Sequence, residues 1–124
     1  MNAKDMKKRM KQFAMRILKL ADSLPKTASG RTLANPLASP GASVAENYRA
    51  ADKGRSKAGL VAKLDIAEEG ADETRFWLEM VVESEIVPSH RLDPLQRAAR
   101  ELTAMVAATR ISAPRCKHIG DWQW

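Results

Sequence analysis

The chain has 124 residues, of which 44% are hydrophobic and 5% are aromatic, and its formal net charge is +6. This length and composition fit one domain with an aliphatic, alanine-rich core. There is no run of 18 or more apolar residues and no apolar segment behind the basic N-terminus, so we expect neither a membrane span nor a secretory signal. Cys116 is the only cysteine, which excludes an intrachain disulfide, and we expect a cytoplasmic protein.

The charge is distributed unevenly along the chain. Residues 1–31 carry nine Lys or Arg against two Asp, a net charge of +7. Residues 58–87 carry two basic against eight acidic residues, a net charge of −6. Either these two segments face each other and form solvated ion pairs worth about 0 to 1 kcal/mol each, or the basic surface is reserved for a polyanion.

The first predicted helix runs from about Asp5 to Leu24. Its apolar residues recur at intervals of four and three, which is the period of a helix that packs along a bundle. The residues of this seam are Met6, Met10, Phe13, Ile17, Leu20 and Leu24. The pattern directs four lysines outward, and these are the candidate nucleic-acid-binding residues: Lys4, Lys8, Lys11 and Lys19. Met15 and Leu18 also lie outside the seam.

Pro25 ends the first helix, because a proline ring removes a donor and clashes with the preceding turn. We expect Lys26 to Gly30 to form a short connection, so that the second helix returns antiparallel. In the second helix, residues 33–49 are rich in small residues, and Ser43 and Asn47 are its candidate polar residues of the bundle core. Pro36 and Pro40 leave two alternatives: the helix is kinked near Pro40, or it begins only near Ser39.

The third predicted helix follows a break at Gly54, is capped by Ser56 and spans about residues 57–86. Its core series is Leu60, Leu64, Ala67, Ala71, Thr74, Leu78 and Val81, but apolar residues also occupy much of the remaining circumference. A helix that is apolar on so many sides needs more than one neighbour. Phe76, Trp77 and Met80 are therefore the candidate oligomer interface. The alternative is that the fourth helix and the C-terminal tail cover them.

The fourth predicted helix begins at Asp93 and Pro94, as an N-cap followed by proline at the first helical position, and ends near Ile111. Its buried stripe is Leu95, Ala98, Ala99, Leu102, Met105, Val106 and Thr109. We assign residues 1–112 to a four-helix bundle domain. For residues 113–124, which include Trp122 and Trp124, we favour a disordered tail; the alternatives are a segment folded back on an apolar patch and a docking peptide.

Two stretches of the chain resemble the bacterial four helix bundle protein family. This family includes proteins encoded in 23S rRNA intervening sequences and accessory proteins of diversity-generating retroelements. The first stretch matches the family pattern at Asn35, Leu37, Gly41, Ser43, Val44, Asn47, Tyr48, Arg49 and Ala51, and the second, DETRFWLEMVVES, spans residues 72–84. Leu24-Pro25-Lys26 precedes them. The two prolines of the second helix depart from the pattern.

The resemblance implies an all-α, antiparallel up-down four-helix bundle assembled into a homo-oligomeric ring. Characterised relatives of the retroelement type form pentamers and bind a reverse transcriptase and nucleic acid. By resemblance, the expected partners are therefore further copies of the chain, RNA or DNA, and a reverse transcriptase.

The residues themselves give no indication of catalysis. There is no Glu-x-x-His pair for a di-iron bundle, no glycine-rich phosphate loop, and no nucleophile beside a histidine in a known motif. Cys116, His118 and Asp121 fall short of a closed four-ligand metal site. We expect no catalytic residue, metal or cofactor, and no enzyme activity.

Two functions remain open from the sequence. One is an oligomeric protein that binds nucleic acid or a nucleic-acid-processing partner through the basic surface of the first helix. The other is a structural protein-interaction module whose basic and acidic helices pair with each other or with a neighbour.

Overall fold

The computed structural model describes residues 3–53 and 56–112. Four helices occupy this part of the chain: α1 Ala3–Ser23, α2 Ala28–Asp52, α3 Lys57–Ser84 and α4 Ser89–Ser112. The described residues contain no strand. Contacts join α1 to α2, α2 to α3, α3 to α4 and, most sparsely, α1 to α4. The predicted all-α four-helix bundle is therefore confirmed.

The core consists of the predicted apolar seams. Of the six residues in the predicted seam of the first helix, Leu20 is half-buried and the other five are buried, including Leu24, which follows the end of α1. All seven residues of the α3 series are buried, including Thr74, whose hydroxyl donates to the carbonyl oxygen of Gly70 over 2.8 Å. In α4, Ala98 and Met105 are half-buried at the edge, and the rest of the predicted stripe is buried.

Helix α2 runs unbroken through both prolines, so the alternative that it begins near Ser39 is wrong. Thr27 caps it, because its hydroxyl oxygen accepts a hydrogen bond from the backbone N–H of Gly30 at 3.1 Å. Ala28 to Gly30 are thus helical and not part of the connection. Pro40 is buried and Pro36 half-buried, so packing offsets the backbone hydrogen bonds that the two rings remove.

The caps and breaks predicted between α2 and α3 and at the end of α3 are observed, whereas the predicted start of α4 is not. The Ser56 hydroxyl accepts from the backbone N–H of Gly59 at 3.1 Å, as expected of the cap of α3. α3 ends at Ser84, two residues before the predicted end, and Glu85 follows as its C-cap in the left-handed conformation, with φ 58°. The prediction that Asp93 caps α4 is wrong, because α4 begins directly after Pro88 and includes Pro94 in its second turn.

Two glycines mark where α2 lies close to its neighbours. A Cβ atom added at Gly70 of α3 would lie 3.0 Å from Cγ2 of Val44 and 3.2 Å from the backbone oxygen of Pro40, both on α2. One added at Gly41 of α2 would lie 3.5 Å from Cγ2 of Ile17 on α1, which is an ordinary van der Waals contact. Of these two helix contacts, the one between α2 and α3 requires a glycine and the one between α2 and α1 does not.

The boundary predicted at residue 112 falls at the last residue of α4. The predicted tail, residues 113–124, lies outside the described residues, so both the domain division and the disorder stay predictions. Within residues 3–53 and 56–112, no helix has the length and apolarity needed to cross a membrane.

The glycine geometry predicts opposite effects for two substitutions. Gly70→Leu should lower the free energy of unfolding by about 1 to 3 kcal/mol, because the side chain must displace backbone of α2. Gly41→Ala should raise it by about 0.5 to 1 kcal/mol, since alanine favours the helix and its methyl group fits. Denaturant unfolding at equal protein concentration measures both values. A stable Gly70→Leu protein would contradict the close α2–α3 packing.

Candidate functional site

The four outward lysines of α1 are all exposed in the structure, as their spacing predicts. Three of them belong to a row of exposed residues, spaced four and three apart, on the face of α1 opposite its buried seam. We call this row the α1 outer stripe. Its residues are Lys4, Lys8, Lys11, Met15, Leu18 and Asp22. The N-terminal half of the stripe is cationic, and apolar side chains follow it.

A groove between α1 and α2 extends the cationic half of the stripe. Its lining comprises five basic side chains, one carboxylate and one alanine: Lys7, Lys8, Lys11, Arg49, Lys53, Glu46 and Ala45. Arg49 and Lys53 are exposed and lie one turn apart at the C-terminal end of α2. Such a groove can hold a phosphate backbone by charge and hydrogen bonding. Its lining contains no Ser, Cys or His side chain.

Sequence reasoning missed the contribution of α2. The signal was present, because the short connection at Pro25 returns α2 antiparallel and so brings its last turns beside the first turns of α1.

Lys19, the fourth predicted lysine, lies beside the C-terminal end of the α1 outer stripe. It is eight residues beyond Lys11, which is about 12 Å along the helix. Met15 and Leu18 separate it from the groove.

The position of these lysines opposes helix stability. Cations are unfavourable near a helix N-terminus, where the macrodipole is positive, and favourable in the last turn. Lys4 and Lys8 nevertheless occupy the first two turns of α1, and its last turn has no basic residue. Lys4 and Lys8 are spaced i and i+4, and Lys8 and Lys11 i and i+3, so they also repel each other. The dipole and the like-charge spacing therefore disfavour these lysines, and Asp5, in the first turn and three residues before Lys8, offsets part of that cost.

The acidic helix does not neutralise the basic one within the subunit. α1 and α3 lie diagonally across the bundle and make no direct contact in the described residues, so the interpretation that they face each other is wrong. Both helices form ion pairs with α4. Arg9 pairs with Glu101, and Arg110 pairs with Glu68 and lies 3.5 Å from Asp65.

The candidate oligomer interface on α3 is largely uncovered. Phe76 is 51% and Met80 38% exposed, whereas Trp77 is half-buried and packs against the core. The rings of Phe76 and Trp77 meet edge to face, with centroids 5.0 Å apart and an interplanar angle of 84°. α4 leaves the Phe76 and Met80 side chains exposed. The alternative that the C-terminal tail also covers these side chains involves residues outside the described part of the chain.

Ser43 and Asn47 are half-buried on α2, at the margin of the core and not inside it. The Asn47 amide donates to the backbone oxygen of Ser43 at 2.8 Å and to its hydroxyl at 3.1 Å. Both bonds are local to one helical turn, so this pair satisfies its own polar groups. In the described part of the chain, no three His, Cys, Asp or Glu side chains cluster closely enough to bind a metal ion.

Residues 3–108 match the family model described as 23S rRNA-intervening sequence protein. A crystal structure of a protein of unknown function from the S23 ribosomal protein family of Bacteroides thetaiotaomicron superimposes with a TM-score of 0.82 and 24% sequence identity, covering 90% of this chain and 99% of that one. At that identity the likeness concerns the fold alone. No curated protein matches this chain.

The unfavourable placing of the stripe lysines predicts that their removal stabilises the fold. The double substitution Lys4→Gln/Lys8→Gln should raise the free energy of unfolding by about 0.5 to 1 kcal/mol at low ionic strength. The gain should shrink as salt screens the charges. Thermal unfolding at low and high salt measures the effect. A loss of stability would show that these lysines support the fold.

Proposed function

The chain belongs to the 23S rRNA-intervening sequence protein family, and on that premise we propose that it is a non-enzymatic, self-associating protein that binds nucleic acid by charge. The observation that carries the proposal is the continuous basic surface formed by the N-terminal half of the α1 outer stripe and the α1–α2 groove. Lysine and arginine side chains on such a surface attract phosphates and release condensed counterions when they bind.

The surface fits recognition of the backbone and not of the bases. Phe13 is the one aromatic residue of α1, and it is buried in the core, so α1 offers no platform on which a base could stack. Binding through lysines alone is tolerant of sequence and steeply dependent on salt. The family name connects its members with 23S rRNA, which supports RNA as the first polyanion to test. A reverse transcriptase partner stays a prediction from the resemblance.

Self-association is the second part of the proposal. Exposed apolar patches rimmed by charges are typical of protein contact surfaces, and Phe76 and Met80 form such a patch beside Trp77. The resemblance implies a pentamer. If nucleic acid does not bind, this patch still favours the alternative function, a structural interaction module.

Nucleic-acid binding is tested with a short single-stranded RNA and its duplex, titrated between about 50 and 200 mM salt. The parent should bind at the lower salt and weaken steeply. Lys4→Gln/Lys8→Gln should bind more weakly, with a salt slope reduced by about 1.4 to 1.8, because two phosphate contacts are lost.

The matched control is Lys26→Gln/Lys63→Gln, which removes the same charge from exposed positions away from the stripe. It should bind as the parent does. Equal weakening by both variants would show that net charge, and not this surface, drives binding. A parent that binds neither RNA at low salt would refute the nucleic-acid part of the proposal.

Self-association is tested by light scattering of the parent and of Phe76→Asp/Met80→Asp. We expect an oligomeric parent at micromolar concentration and a monomeric variant of unchanged helicity, because both side chains are exposed in the subunit and a carboxylate buried in an interface without a partner is costly. A monomeric parent would remove this part of the proposal and leave the nucleic-acid part standing.

A further inference from the structure

The α3 surface around Phe76 is one row of exposed residues with a helical period. Its members are spaced three and four apart, on the face opposite the buried series of α3. We call this row the α3 outer stripe. Its residues are Ile66, Glu69, Glu73, Phe76, Met80 and Glu83. It has the same period as the α1 outer stripe but the opposite charge.

Both stripes combine charge with uncovered apolar side chains. On α3, Ile66 is 42% exposed in addition to Phe76 and Met80. On α1, Met15 is 49% and Leu18 37% exposed. Met15 lies in a shallow depression whose basic lining is Lys8, Lys11, Arg16 and Lys19. Each stripe therefore has the period of a helix seam, with apolar residues at two of its six positions on α1 and at three of six on α3.

The charges decide which stripe fits which. Two α3 outer stripes packed together would place Glu69, Glu73 and Glu83 against carboxylates of the other copy, and like charges in contact disfavour association. Two α1 outer stripes would bring lysines together in the same way. Of these three pairings, an α3 stripe against an α1 stripe is the one that buries apolar residues on both sides and pairs carboxylates with lysines.

We infer that self-association is head-to-tail: the α3 outer stripe of one subunit docks on the apolar half of the α1 outer stripe of a second copy. Met15 and Leu18 meet the apolar residues around Phe76, and the flanking Lys11 and Lys19 face the carboxylates. This inference rests on the self-association part of the proposed function, and it names the surfaces that associate.

The diagonal arrangement of α1 and α3 makes this contact intermolecular. Because the two stripes lie on opposite sides of the bundle, one subunit uses one stripe for each of two neighbours. Such a heterologous contact generates a closed ring or an open filament, and not a simple twofold dimer.

The docking region leaves part of the basic surface accessible. Lys8 lies seven residues before Met15, which is about 10 Å along the helix. Lys4, Lys8 and the α2 side chains Arg49 and Lys53 are therefore positioned for phosphate while Met15 and Leu18 are covered.

Two variants, each with one disrupted stripe, test whether the contact joins α3 of one subunit to α1 of the next. Met15→Asp/Leu18→Asp damages the α1 stripe, and Phe76→Asp/Met80→Asp damages the α3 stripe. All four positions are exposed, so circular dichroism should show unchanged helicity for both. Should an aspartate variant lose helicity, the corresponding serine substitutions replace it.

Each variant alone should be monomeric by light scattering. Mixed in equal amounts, they should form a dimer of twice the monomer mass, because the intact α3 stripe of the first fits the intact α1 stripe of the second. The remaining damaged stripes stop further growth.

Three results would overturn the inference. If the α1 variant still assembles while the α3 variant does not, the contact is α3 on α3, and self-association stands without the head-to-tail arrangement. If the mixture stays monomeric, the two stripes do not bind each other. If the parent itself is monomeric, both this inference and the proposed self-association are removed. RNA binding by Lys4→Gln/Lys8→Gln is measured separately and does not depend on any of these results.

Discussion

The close approach of α2 and α3 is the constraint on which the remainder of the bundle depends. Backbone of α2 at Pro40 lies against Gly70 of α3, and this pair of helices shares the most extensive contact in the structure. The small residues of α2 make the approach possible on one side, and Gly41 lets Ile17 of α1 pack on the other. α2 therefore holds both neighbours, whereas α4 contacts α1 only sparsely. This central position explains why a helix with two internal prolines is retained: burial of Pro40 and the packing around it outweigh the missing hydrogen bonds.

Apolar periodicity predicted the helices and their buried faces, because burial of a continuous stripe dominates the energetics of a bundle. The cap at Ser56 was equally predictable, since it depends only on one side chain and the first turn of α3. The start of α4 was not, because Asp93 and Pro94 form a plausible N-terminus by local rules. There the helix instead starts directly after Pro88, where Leu92, buried in the core, lies one turn into α4. Tertiary packing decided that boundary.

Only the α1 part of the basic surface could be predicted from the sequence pattern. The four lysines of α1 could be assigned to the solvent face from spacing alone, since they avoid the seam. Arg49 and Lys53 could not be assigned from spacing alone, because their relevance depends on where the end of α2 lies relative to α1, and the signal for that was the antiparallel return predicted at Pro25. The diagonal separation of α1 and α3 was likewise inaccessible from charge counts. Opposite charges on two helices suggested that they pair, and only the order of helices around the bundle shows that they cannot pair within one subunit.

The diagonal separation of α1 and α3 determines how their charges are interpreted. In a monomer that used its ion pairs for stability, the cations of α1 would lie toward the C-terminus of that helix or against the carboxylates of α3. Here Lys4 lies in the first turn of α1, where the helix dipole opposes it, and Glu69 and Glu73 lie on α3, diagonally across the bundle. Sequences that are otherwise consistent with their fold violate local rules chiefly at functional positions. Both charged stripes also carry exposed apolar side chains, which a chain that remained alone in water would gain nothing by displaying in a helical period. Both violations would be accounted for by the ligands that we propose outside the subunit, a polyanion at one end of the α1 stripe and another copy of the chain at the other.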